Sequence, residues 1–68
     1  MIPPGLYEHY KGGLYRVIGV ATHSETEEQF VVYQSIETDR LFVRPLQMFL
    51  ENVTVDGTEM PRFRFIGE

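Results

Sequence analysis

The sequence has no cysteine, only two histidines, and six basic residues against ten acidic ones. The first absence rules out disulfides and thiolate metal sites. The second leaves His9 and His23, which cannot by themselves complete a tetrahedral centre, so no metal and no cofactor are expected. The charge balance gives a net charge of −4. Proteins that bind nucleic acid draw much of their affinity from Lys and Arg set against phosphate. Here the only basic cluster is Arg62/Arg64, while Lys11, Arg16, Arg40 and Arg44 are scattered. The overall field repels a duplex, and nucleic acid is disfavoured as a partner. No apolar run approaches the ~20 residues of a membrane span. Nor does the opening Met1-Ile2-Pro3-Pro4 carry the basic-then-apolar pattern of a secretory signal. The cytoplasm is the expected compartment, with no membrane association.

What the chain does have is rings. Five Phe and four Tyr each can bury on the order of 150–250 Å². Sixty-eight residues correspond to one domain, spanning 1–68. A domain of this size buries only about 60% of the surface its unfolded chain exposes. An aromatic β core can meet that demand without staples, and both a monomer and a homodimer fit.

The segments alternate with period two. Leu6-Tyr7-Glu8-His9-Tyr10 places Tyr7 and His9 on one face, and Lys11-Gly12-Gly13 follows as a tight turn. Paired glycines there supply the positive φ that hairpin turns demand. Leu14–His23 is the longest strand candidate, rich in Tyr15, Val17, Ile18, Val20 and Thr22. Gly19 in its middle marks a bulge or bend. The acidic stretch 23–28 reads as a solvated hairpin loop. Gln29–Ile36 is a second strong strand, and Leu41-Phe42-Val43-Arg44 a short one held extended by Pro45.

Pro45-Leu46-Gln47-Met48-Phe49-Leu50 breaks the β period. Proline suits a first helical position, and Leu46 with Phe49 or Leu50 has i,i+3/i+4 spacing. The segment predicts a single 3₁₀ or α turn plugging one end of a barrel. Asp56-Gly57 signals a further hairpin, and Pro61–Ile66 reads as the last strand. Short, regularly spaced strands, one helical turn and no long helix predict an all-β fold. Its expected form is a small SH3-like, partly open β-barrel of about five strands, with the helical turn before the last hairpin.

Five segments taken together carry a resemblance: Gly5-x-Tyr7-x-His9-Tyr10-Lys11-Gly12-x-x-Tyr15; His23-Ser24-Glu25-Thr26; Val32-Tyr33; Val43-Arg44-Pro45-x-x-Met48-Phe49; and Asp56-Gly57 with Arg62-Phe63. The set resembles the bacterial family called domain of unknown function 1653, from Gly5 to Phe63. That family commonly has tryptophan where this chain has Phe42. The resemblance implies a stand-alone bacterial domain, sometimes a module of a longer protein. It implies no activity, so no catalytic residue follows from it.

Candidate chemistry gathers at three places. Tyr7, His9 and Lys11 form either a patch that grips an anion or a solvated edge with Tyr7 half buried. His23 and Glu25 form either a proton-moving dyad or a loop hydrogen bond that orders the hairpin. Arg44 follows Val43, which reads as buried, and is pinned by Pro45. It acts either as a bidentate clamp for carboxylate or phosphate or in an internal salt bridge to Glu25, Glu28 or Glu8. Phe42 shares the Arg44 face, and Tyr33 can pair with it from the neighbouring strand. An aromatic beside an Arg is how small β modules hold peptides and bases. The expectation is a non-catalytic binding module using Tyr7, His9, Tyr10, Lys11, Tyr33, Phe42 and Arg44, near the His23–Glu25 loop. Its partner would be a protein, a peptide or a small anionic ligand. The alternatives are a small enzyme using His23 with Glu25, or a single-stranded nucleic-acid binder using Tyr33, Phe42 and Arg44.

Overall fold

The computed structural model describes residues 2–68. Its elements run β1 (Gly5–His9), β2 (Leu14–Thr22), β3 (Gln29–Ser35), β4 (Leu41–Pro45), α1 (Leu46–Leu50), β5 (Asn52–Val55), β6 (Thr58–Pro61) and β7 (Phe63–Gly67). Five strands form one antiparallel sheet in the order β4-β3-β2-β1-β7, while β5 and β6 pair separately. The protein is all-β with one short helix. Its large sheet ends at β4 and β7 and is not closed into a barrel. Among the described residues, no helix is long and apolar enough to cross a membrane.

Local chemistry explains the turns. Gly12 and Gly13 both have positive φ, 93° and 88°, and the Gly12 N–H donates to the His9 carbonyl at 2.8 Å. Asp56 and Gly57, at φ 51° and 79°, make the two-residue turn that suits the twist of a hairpin. Gly19 lies where the β2–β3 register shifts, between Val17 and Gly19, so the strand bulges as expected. Gly5 is required for another reason. At φ 136°, a Cβ on it would lie 2.7 Å from the Gly67 carbonyl oxygen, at the end of the neighbouring strand β7, where Gly67 pairs with Leu6.

The core lies where the sheet curls over α1 and the start of β7. It consists of Tyr7, Val17, Val31, Tyr33, Phe49 and Phe63. Phe49 and Phe63 stack with centroids 4.2 Å apart and planes 5° apart. Tyr7 and Tyr33 each meet Phe49 edge-on at 5.6 Å. A five-residue helix has no stability of its own. Anchoring through Phe49 holds it.

Three details differ from the sequence expectation. Seven strands form rather than about five, because Asn52–Val55 and Thr58–Pro61 make a hairpin of their own. The expected last strand, Pro61–Ile66, is split at Arg62. Pro61 ends the pairing with Asn52, and Phe63 begins a new one opposite His9. At the corner, the Arg62 N–H donates to the Glu51 carbonyl and its carbonyl accepts from the Tyr10 N–H, both at 3.0 Å. Finally, Val43 is outside, 63% exposed. The β3–β4 register sets Arg44 opposite the buried Val31 and Phe42 opposite Tyr33, which puts Phe42 and Arg44 on the inner face.

Candidate ligand-binding cleft

That inner face holds a cleft of about 130 Å³ lined by His9, Tyr15, Tyr33, Phe42, Arg44 and Phe63. Five different strands converge to build it. Period-two alternation puts Tyr15 on the same face as Val17, and pairing across β1 and β2 sets Tyr15 opposite Tyr7. Tyr33 comes from the centre of β3, Phe42 and Arg44 from the edge strand, His9 from the end of β1 and Phe63 from the start of β7.

The walls are rings in contact. Tyr33 and Phe42 stack at 5.6 Å and 28°. Tyr15 stands edge-on to Tyr33 at 5.5 Å, to Phe63 at 5.8 Å and to Phe42 at 6.2 Å. His9 meets Phe63 edge-on at 4.8 Å. Such edge-to-face geometry fixes ring orientation, since the positive edge of one ring faces the negative face of the next.

Arg44 is held on two sides. Its Nε donates to the Tyr33 hydroxyl at 3.2 Å, and its Cζ lies 5.6 Å from the Phe63 centroid. Both ion pairs formed by arginines among the described residues involve other groups: Arg62 with Glu51 at 3.5 Å, and Arg64 with Glu8 at 2.6 Å. Glu8, a candidate partner for Arg44 from sequence, is thus taken by Arg64. Nearby, the Arg62 Nε is buried without a hydrogen-bond partner.

His9 registers this environment. Its Nδ1 accepts the Lys11 backbone N–H at 3.2 Å, which leaves Nε2 as the proton-bearing nitrogen. Burial, followed by the positive charges of Arg44, Arg62 and Lys11, holds the imidazole below its ordinary value. The cleft therefore has a neutral histidine and a cationic field inside a protein of net charge −4.

The other residues singled out from sequence lie elsewhere. Tyr7 is in the core, its hydroxyl donating to the Pro3 carbonyl at 2.6 Å, and burial raises its pKa. Tyr10 and Lys11 sit at the β1–β2 turn. Tyr10 packs on His9 at 4.7 Å with the Lys11 Nζ 5.7 Å from its ring, beside a second depression that Met60 and Arg64 help to line. His23 and Glu25 are at the β2–β3 hairpin, His23 being about 26 Å along the chain from Tyr15 at a strand's rise per residue. There the His23 Nδ1 accepts the backbone N–H groups of Glu25 and Thr26, at 3.1 and 3.3 Å. What joins the two residues is an amide of the loop. Sequence reasoning missed Tyr15 and Phe63 as cleft residues. Tyr15 shows as a strand former like its neighbours, and Phe63 reaches the site only through the pairing of the first and last strands.

The class of protein is thus a small all-β protein with an open antiparallel sheet and a ring-lined, cationic cleft on its inner face. A family model described as a protein of unknown function, DUF1653, matches residues 5–65. The chain belongs to that family. It is also similar to a crystal structure of a DUF1653 protein from Bordetella bronchiseptica. The identity is 35% and the TM-score 0.90, with 97% of this chain and 88% of that chain covered. Among curated proteins, none matches.

Proposed function

We propose that this protein is a non-catalytic binding module whose inner-face cleft takes a carboxylate or phosphate carried on a flat, apolar body. The observation behind this reading is the Arg44 guanidinium. It is oriented by the Tyr33 hydroxyl and the Phe63 ring, and among the described residues no carboxylate pairs with it. A guanidinium with one edge fixed presents its remaining N–H groups as a ready fork for two oxygens. Phe42 and Tyr15 supply faces on which a ring or an apolar stem can lie. The reading extends to architecture: the sheet, bulged at Gly19 and packed against α1, is interpreted as an SH3-like, partly open barrel.

Titration of the ¹⁵N-labelled protein with benzoate and with phenyl phosphate tests the proposal. Shifts are expected to concentrate at His9, Tyr15, Tyr33, Phe42 and Phe63 and to vanish in Arg44→Gln. Shifts confined to the 23–28 loop, or equal binding by Arg44→Gln, would remove the support. Turnover of a substrate panel that His23→Ala abolishes would replace the proposal with the enzyme reading. Salt-sensitive retention of a single-stranded oligonucleotide that depends on Arg44 would replace it with the nucleic-acid one.

A further inference from the structure

The cleft opens beside the edge of the sheet. β4 pairs with β3 alone. In an antiparallel ladder, alternate residues turn their N–H and C=O groups toward the neighbour. The Ser35 N–H donates to the Arg40 carbonyl at 3.0 Å. Counting on in steps of two, Phe42 and Arg44 face β3, and Leu41 and Val43 turn their amides to the open side. Their side chains are free as well, each 63% exposed. Such an edge is a template for another strand.

Charge decides which strand. β4 and the residue before it carry Arg40 and Arg44, and β4 has no acidic residue. A second copy pairing antiparallel can use both Leu41 and Val43 fully only when Leu41 lies opposite its partner's Val43. That register sets Arg40 opposite Arg44 twice, and like charges directly opposite are destabilising. Shifting to Val43 opposite Val43 brings Leu41 against Pro45, which has no N–H to give. An acidic strand meets neither obstacle.

We infer that the β4 edge docks an extended acidic peptide segment of a partner protein, which adds as a sixth strand. Backbone groups of Leu41 and Val43 hold it. Its inward-facing carboxylate, arriving beside Phe42, reaches Arg44 and the cleft. This last contact rests on the anion-binding reading above, whereas the backbone contacts do not.

The test uses the full chain and three probes: a capped peptide of alternating Val and Glu, the same peptide with Lys for Glu, and the Val-Glu peptide N-methylated at alternate amides. The Val-Glu peptide should shift the Leu41 and Val43 amides. The N-methylated form, and the variant Val43→Pro, should weaken it by about tenfold or more, the scale of one or two lost hydrogen bonds. The Lys peptide should not bind. Proline at that edge position removes an outward N–H and leaves the β3 ladder intact. Should that variant unfold, the N-methylated peptide decides alone. Undiminished binding of the N-methylated peptide, or peptide shifts that spare Leu41 and Val43, would overturn the inference while leaving the cleft reading standing. Edge shifts without any response of the cleft to benzoate or phenyl phosphate would sustain the edge and sink the cleft. Sedimentation showing a concentration-dependent dimer that Val43→Pro abolishes would make a second copy the occupant and overturn the inference.

Discussion

Replacing Phe49 by alanine removes the side chain on which the short helix depends. Phe49 is 2% exposed. It stacks on Phe63 at 4.2 Å and meets Tyr7 and Tyr33 edge-on. Phe→Ala changes at such sites cost about 3–5 kcal/mol, because transfer and cavity terms add. A chain of 68 residues has a total stability of roughly 3–10 kcal/mol. The variant therefore sits at the margin of folding. Phe49→Leu keeps most of the buried area but loses three ring pairs, each about 0.5–1.5 kcal/mol, so it should lose about 1.5 kcal/mol or more, short of the alanine cost. Urea unfolding followed by circular dichroism and tyrosine fluorescence measures both. The expected order is wild type, then leucine, then alanine, with Tm for the alanine variant lower by more than about 12 °C. An alanine variant within about 1 kcal/mol of wild type would refute the view that this ring stack ties the helix and the last strand to the sheet.

Gly5→Ala should cost about 1–3 kcal/mol, since the new methyl meets the Gly67 carbonyl at 2.7 Å at a φ of 136°. Equal urea midpoints would show that β7 can move aside. His9 gives a pH dependence. Its pKa is lowered in the fold, so below about 6.5 the unfolded chain binds more protons than the folded one. The contribution of His9 is full above that value and is lost as pH falls toward and through the folded pKa. His9→Gln should remove that component. Urea midpoints at about pH 7.5 and about pH 5, compared between wild type and variant, measure it, and identical acid slopes would count against the half-buried, cation-flanked imidazole.

What could be read in advance was local. Gly12-Gly13 and Asp56-Gly57 carry the positive φ values expected of them, because a turn's conformational demand is met within two residues. The Gly19 bulge and the helical turn after Pro45 are legible for the same reason. The face of β4 was not. Val43 before Arg44 suggests apolar in and charged out, yet parity along a strand is set by its neighbour's register. Tyr33 opposite Phe42 settled it the other way. The pairing of His9 with Phe63 joins opposite ends of the chain, and no local pattern announces it. A third of the cleft went unseen with it: Phe42, Tyr33, Arg44 and His9 were named from sequence, while Phe63 and Tyr15 become cleft residues only once the first, second and last strands lie side by side.

The electrostatics of the cleft run against those of the whole molecule. A net charge of −4 spread over an exposed surface is screened beyond about 8 Å at physiological salt. Arg44, Arg62 and Lys11, by contrast, act on His9 at close range. Beyond that screening distance the negative surface contributes little, whereas the field inside the cleft is set by the cations beside His9. Burial first, and then these positive charges, lower the pKa of His9; an anion seated against Arg44 would offset the second cause and favour a proton on His9. By linkage, the proton and the anion then strengthen one another. On the proposed anion-binding reading, acid would work in opposite directions on the two equilibria, weakening the empty fold through His9 and tightening an occupied cleft through the same ring.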